Sequence, residues 1–214
     1  MRTHIYIDGF NFYYGAVKGT PFKWLDFNAL FSLILKPNHV ISRIKYFTAV
    51  VSATPQDPNK PIRQKTYIRA LQSYIPEIEI HYGHFLSHNV SMPLVKPSSS
   101  KYFEDVIRTE EKGSDVNLAV HLINDAWLDL YDCAVVVSND SDLAEAMRLV
   151  KQHHPSKVLG LITPVGARAN QKTRTSKELQ IHADFVRLTR PGGLKRSQLP
   201  DPIPGTTIQK PSQW

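Results

Sequence analysis

Four aspartates are the residues of this 214-residue chain whose type and position best support catalysis. Asp8 ends a short β-like run near the N-terminus, and Asp140 and Asp142 follow a second, fully apolar run. Asp115 opens a helical pattern that precedes the second run. In open α/β sheets, the carboxyl ends of the strands form the ligand crevice where the strand order reverses. If Asp8 and Asp140 lie on neighbouring strands, we expect their carboxylates to converge.

Converging carboxylates repel one another, and their pKa values rise unless a cation neutralises them. Mg²⁺ suits such a site, because it takes oxygen ligands and keeps several waters beside one or two carboxylates. The ion can lower the pKa of a bound water and stabilise the charge on a phosphodiester under attack. The chain carries 26 basic and 19 acidic residues and a net charge of +7. A positive balance attracts polyanions, so basic residues would hold phosphates while the acids hold the metal.

Each acid also has a structural alternative. Asp8 could be a turn residue, and Asp115 and Asp142 could be helix N-caps. Glu111, just before the helical pattern, and Glu145, one helical turn after Asp142, are further candidates for the site.

Strand-like and helix-like segments alternate along the chain. Strands are predicted at 4–7, 44–51, 77–85, 134–137, 158–162 and 185–188, and helices at 26–35, 61–74, 115–127 and 142–151. The segment 102–109 is predicted to be a further strand or a hairpin arm. In the helix at 115–127, apolar residues recur at helical spacing: Val116, Ala119, Val120, Ile123 and Trp127. This alternation favours a mainly parallel sheet covered by helices on both faces.

The composition indicates a globular protein with one domain and a tail. Apolar residues make up 42% of the chain and charged residues 21%. Residues 190–214 hold five of the fifteen prolines and are basic, so we predict a domain at 1–189 followed by a flexible tail. Cys133 has no cysteine to pair with and lies in an apolar run, which favours a core position and a reducing cytoplasm. No N-terminal apolar stretch has the length of a signal peptide or a membrane span.

Three motifs together resemble the NYN domain family. They are Tyr6-Ile7-Asp8-Gly9-Phe10-Asn11-Phe12, Glu111-Lys112-Gly113-Ser114-Asp115-Val116 and Val137-Ser138-Asn139-Asp140-Ser141-Asp142-Leu143. NYN domains are PIN-like metal-dependent ribonucleases, and their bacterial branch is also called LabA-like or DUF88. The resemblance covers about residues 3 to 190. Asn139 stands where many relatives carry glycine, which could tighten the turn.

The resemblance implies a PIN-like three-layer α/β/α sandwich with a mainly parallel sheet of strand order 3-2-1-4-5. It implies catalysis and metal binding by Asp8, Asp115, Asp140 and Asp142. It also implies that Asn11, Lys112 and Ser138 contact the substrate.

These inferences lead to the hypothesis of a Mg²⁺- or Mn²⁺-dependent ribonuclease acting on single-stranded or loop RNA, with a 5′-phosphate product. Two alternatives stay open. The scaffold could carry another chemistry, such as conversion of a small molecule or a phosphate ester, because a fold does not fix a function. The chain could also be a non-catalytic RNA-binding or regulatory module. The sequence leaves open which RNA is cut, whether DNA is accepted and whether the chain forms a homodimer.

Overall fold

The computed structural model, which describes residues 1–97, 101–166 and 174–214, contains eight strands and seven α-helices within those ranges. The strands are β1 (Arg2–Asp8), β2 (Val40–Thr48), β3 (Ile78–Tyr82), β4 (His84–Pro93), β5 (Phe103–Lys112), β6 (Cys133–Val137), β7 (Val158–Thr163) and β8 (Phe185–Leu188). The α-helices are α1 (Gly9–Phe12), α2 (Phe27–Ile34), α3 (Lys60–Tyr74), α4 (Ser114–Trp127), α5 (Ala144–His153), α6 (Lys177–Ile181) and α7 (Pro191–Arg196). A π-helical turn, Tyr13–Val17, continues α1, and a 3₁₀ turn, Ser141–Leu143, precedes α5. None of the described helices is long and apolar enough to cross a membrane.

Six strands form one parallel sheet in the order β3-β2-β1-β6-β7-β8. β1 and β6 are neighbours at its centre, paired from Thr3 with Cys133 to Ile7 with Val137. The residues that follow this pairing are Asp8 on one strand and Ser138 on the other. The chain therefore reverses its strand order between β1 and β6, and this is where a ligand crevice is expected.

The α/β class and the mainly parallel sheet are confirmed, but the predicted strand order 3-2-1-4-5 is wrong. The fourth and fifth strands pair with each other as a separate antiparallel hairpin, from His84 opposite Lys112 to Pro93 opposite Phe103. Most residues of both strands are exposed. The place beside β1 needs a strand that is buried on both faces. β6 meets this need because all five of its residues are buried, whereas β4 and β5 carry polar side chains on both faces.

Apolar clusters lie on both faces of the sheet and produce three layers. On one face, Phe27 and Phe31 of α2 pack with Tyr67 of α3 and with Trp24. On the other face, Leu118 and Leu122 of α4 pack with Met147 and Val150 of α5. The two layers of helices hold the central strands, and with them the loops after β1 and β6.

Residues 190–214 pack onto the domain, in contrast to the flexible tail that was predicted. Leu194, Leu199, Ile203 and Ile208 are buried in the same cluster as Trp24. The Trp24 indole Nε1 also donates to the Pro200 carbonyl oxygen over 3.1 Å. The prediction weighed the prolines and the charges and missed the apolar residues spaced between them, which cover an aromatic surface of the core.

Candidate functional site

Asp8 is held in place at the carboxyl end of β1 by the helix that follows it. Its Oδ1 accepts the backbone N–H of Asn11 over 2.9 Å, so the carboxylate caps α1. Gly9 permits this turn, because a Cβ at position 9 would lie 2.6 Å from the Phe47 carbonyl oxygen and 2.9 Å from the Tyr46 ring. The Asp-Gly pair therefore brings a buried carboxylate against the sheet at the expected crevice.

Ser138 and Asn11 connect the junction of β1 and α1 to the loop after β6. The Ser138 hydroxyl donates to Asp8 Oδ2 over 2.8 Å and accepts the backbone N–H of Asp140 over 3.1 Å. Asn11 Oδ1 accepts the backbone N–H of Asn139 over 3.0 Å. Ser138 is fully buried. Both side chains were predicted to contact substrate, and in the structure their polar atoms hold Asp8 and Asp140 in position.

The end of β5 and the start of α4 bring Glu111 and Asp115 to the same place. The helix starts after Gly113, whose φ of 96° lies in the left-handed region that favours glycine. Asp115 is in the first turn of α4, and Glu111 accepts the Ser114 hydroxyl over 2.6 Å. Asp8, Asp115, Asp140 and Glu111 all line one cavity of about 770 Å³, which we call the acidic groove.

The electrostatics show that these carboxylates influence one another. Burial raises the pKa of Asp8, hydrogen bonds from Asn11 and Ser138 oppose that rise, and the charge of Asp140 adds to it. The pKa of Asp115 is raised to about 6, first by burial and then by the charges of Asp8, Asp140, Glu111 and Asp142. Asp142 is exposed beside the groove, where its backbone N–H donates to Asp140 Oδ1 over 3.1 Å.

The acids suit a hard cation that keeps water ligands better than a cation bound entirely by protein side chains. Within residues 1–97, 101–166 and 174–214, no group of three or more His, Cys, Asp or Glu side chains is arranged to hold a metal ion. Mg²⁺ does not need such a cage, because it is usually held by one or two carboxylates and completes its shell with water. The oxygen donors and the charge repulsion at Asp115 match that mode of binding.

Lys112 lies outside the groove. It is exposed at the end of β5, and its Nζ pairs with Glu110 Oε2 over 2.7 Å. The groove is lined instead by Lys60, at the start of α3, and by the aromatic rings of Phe10, Tyr14 and Phe85. Lys60 follows a proline-rich loop far from the three motifs, so nothing in its sequence context links it to the acids.

The fold and the groove define an α/β domain with an acidic candidate site at the switch point of a parallel sheet. The chain belongs to the NYN domain family, whose model matches residues 2–188. The resemblance drawn from the three motifs is thereby confirmed.

Two proteins similar to this chain carry different names: one is named as a monooxygenase, and the other is a protein of unknown function. One is a Pseudomonas putida (strain DSM 28022 / S16) protein named 6-hydroxy-3-succinoylpyridine 3-monooxygenase HspA, to which the chain is 33% identical over an alignment of 239 positions, gaps included. The alignment covers all of this chain and 75% of that protein. The crystal structure of VPA0982 from Vibrio parahaemolyticus RIMD 2210633, a protein of unknown function, matches with a TM-score of 0.54 and 17% identity. That match covers 89% of this chain and 93% of VPA0982, and it supports the fold alone.

Proposed function

We propose that this protein is a divalent-metal-dependent ribonuclease that hydrolyses RNA phosphodiester bonds in the acidic groove. The observation that carries the proposal is the convergence of Asp8, Asp115 and Asp140 on one cavity, close enough for their charges to raise the pKa of Asp115. Membership of the NYN family, which suggests a PIN-like nuclease fold, supports the same function. The buried Cys133 fits a reducing compartment, and we expect the protein to act in the cytoplasm.

In this proposal Asp8 and Asp140 bind Mg²⁺ or Mn²⁺ directly, and Asp115 and Asp142 bind it directly or through water. When bound, the ion supplies positive charge at the phosphate and lowers the pKa of a coordinated water. Hydrolysis joins the water oxygen to phosphorus and breaks the bond from phosphorus to the 3′ oxygen, leaving a 5′-phosphate and a 3′-hydroxyl. Ser138 keeps the Asp8 carboxylate fixed during this reaction through its hydrogen bond to Oδ2.

The groove walls suit single-stranded RNA. Phe10 and Phe85 meet edge to face, with ring centroids 5.6 Å apart, and Tyr14 is 59% exposed. Exposed aromatic rings can stack on unpaired bases irrespective of sequence. The Lys60 ammonium group, beside these rings, supplies the positive charge that an RNA phosphate requires.

The test is RNA cleavage by the purified protein with Mn²⁺ and with EDTA. We expect cleavage products that carry a 5′-phosphate only when the metal is present, and a loss of at least about 100-fold in Asp8→Asn and in Asp140→Asn. Asp105→Asn, an isosteric change on the exposed hairpin, is the matched control and should keep full activity. Unchanged cleavage in Asp8→Asn would refute the assignment. RNA binding in EDTA without cleavage under any metal would instead identify a non-catalytic RNA-binding module.

A second candidate function is conversion of a small aromatic molecule, because the Pseudomonas relative is named as a monooxygenase of a pyridine compound. A monooxygenation consumes one O₂ and two electrons per product molecule. Oxygen uptake with 6-hydroxy-3-succinoylpyridine and a supplied reductant, together with intact RNA under all metal conditions, would favour this candidate. No oxygen uptake above the protein-free control would exclude that substrate.

A further inference from the structure

A second cavity, which we call the aromatic pocket, adjoins the acidic groove. Its volume is about 220 Å³, and it shares the lining residues Phe10, Tyr14, Val51 and Lys60 with the groove. Its walls also include Tyr13, Tyr46, Tyr67 and Trp214. Pockets for drug-sized ligands measure about 300–1,000 Å³, so this one has the size for a single ring with a short substituent.

The rings of the pocket are fixed by packing inside the domain. Tyr67 is buried, donates its hydroxyl to the Leu25 carbonyl oxygen over 2.8 Å and meets the Trp214 ring edge to face at 5.7 Å. Tyr13 meets Tyr14 edge to face at 5.3 Å. A flat apolar ligand would therefore enter walls that are already formed, which lowers the entropic cost of binding.

The lining of the pocket carries excess positive charge. Lys23, Lys60 and Arg63 line it, and the acid among the lining residues is Asp57, which pairs with Arg63. In the part of the chain that the structure describes, the ammonium groups of Lys23 and Lys60 form no hydrogen bond or ion pair. Burial and the nearby charge of Arg63 lower the pKa of Lys23. Asp57 offsets part of this charge, and an anion placed here would be attracted by the three cations, which are in excess over the one acid.

We propose that the aromatic pocket binds a planar aromatic ring that carries an anionic group, with the ring between the aromatic walls and the anion against Lys23 and Lys60. Two sources have this chemistry: a nucleotide of an RNA strand, whose base enters the pocket, and a free aromatic acid. This site is separate from the aspartates of the groove, so the proposal does not depend on nuclease activity.

Isothermal titration of the full-length protein in EDTA tests the proposal with defined probes. The probes are uridine and adenosine 5′-monophosphates, nicotinate and, as an anion without an aromatic ring, ribose 5-phosphate. We expect at least one aromatic anion to bind at least about tenfold more tightly than ribose 5-phosphate. Binding by the nucleotides alone identifies RNA as the source, whereas binding by nicotinate alone identifies a small aromatic acid.

Variants separate the pocket from the groove and from general charge effects. Lys60→Gln removes one anion contact and should weaken binding by at least about tenfold, as expected for a hydrogen bond to a charged group. Lys65→Gln lies on the same helix but outside the pocket and should bind like the wild type. Asp8→Asn should also bind normally while losing RNA cleavage. The proposal is overturned if ribose 5-phosphate binds as tightly as the aromatic probes, if no probe binds at millimolar concentration, or if Lys60→Gln and Lys65→Gln behave alike.

Discussion

Asp115→Asn should stabilise the metal-free protein while removing a carboxylate that the proposed ribonuclease reaction requires. The pKa of Asp115 is raised from 3.8 to about 6 in the folded protein. A carboxyl group whose pKa is higher in the folded than in the unfolded protein destabilises the fold when it is ionised. The free-energy cost of ionised Asp115 is therefore absent below pH 3.8 and complete above pH 6. A pKa rise from 3.8 to about 6 corresponds to roughly 3 kcal/mol of stability. Two effects reduce the expected gain in the free energy of unfolding to about 1–2 kcal/mol. Solvent screens this half-buried group, and the ionised carboxylate is attracted to the start of α4 by about 0.3–1 kcal/mol.

The assay is thermal unfolding followed by circular dichroism in EDTA, at pH 8 and at pH 4. For a chain of this length, a gain of 1–2 kcal/mol corresponds to a rise in Tm of about 2–8 °C. We expect Asp115→Asn to have a higher Tm than the wild type at pH 8. At pH 4 the two Tm values should lie within about 2 °C, because the Asp115 carboxyl of the folded wild type is then mostly protonated and as neutral as asparagine. Asp105→Asn should match the wild type at both pH values. If Asp115→Asn melts at or below the wild-type Tm at pH 8, or if its gain persists at pH 4, the inferred cost of ionising Asp115, from burial and from the neighbouring acids, is wrong.

Three further predictions follow from particular contacts. Ser138→Ala removes the donor to Asp8 Oδ2, so initial rates of RNA cleavage should fall at least about tenfold, and an unchanged rate would contradict the positioning role. Asp125 is 2% exposed and accepts hydrogen bonds from Lys45 Nζ and Tyr6 Oη, each over 2.6 Å. Asp125→Asn should therefore lower the free energy of unfolding, measured in urea, by about 3–5 kcal/mol. A loss below about 1 kcal/mol would contradict a buried ion pair. Mn²⁺ at 100 times its dissociation constant should stabilise the wild type by about 2.7 kcal/mol and leave Asp8→Asn unchanged, and equal stabilisation of both would place the ion elsewhere.

The parts of the fold that the sequence predicts are those with a local signal. The apolar run of β6 indicates a strand buried on both faces, and the structure places it at the centre of the sheet. A helix was predicted at 115–127, and α4 spans Ser114–Trp127. The segment 102–109 was predicted as a further strand or a hairpin arm, but its partner strand was not identified, because the paired residues lie 10 to 28 positions apart.

The face on which α4 packs was not recognisable from periodicity. Val116, Val120 and Trp127 fall at helical spacing and yet are 53–65% exposed, while Leu118 and Leu122 are buried. The buried face also includes Asp125, whose charge is compensated by Lys45 from a distant strand. A pattern of apolar residues alone assigns such an aspartate to the surface, so the helical spacing at 115–127 does not identify the buried face.

Some residues of the candidate site could be predicted from the sequence, and others could not. The three motifs identified the acids, and the strand pairing of β1 with β6 explains why Asp8 and Asp140 come together. The roles of Asn11 and Ser138 in connecting the start of α1 to the loop after β6 depend on contacts across about 130 residues of sequence. Lys60 and the aromatic pocket depend on the packing of α3 and the C-terminal segment, for which the sequence carries no local signal.

The most direct test of a shared divalent ion is the anomalous diffraction of crystals soaked in Mn²⁺. We expect a manganese peak in the acidic groove within about 2 Å of carboxylate oxygens of both Asp8 and Asp140. Crystals that take up manganese at other sites and show no peak in the groove would contradict a shared ion.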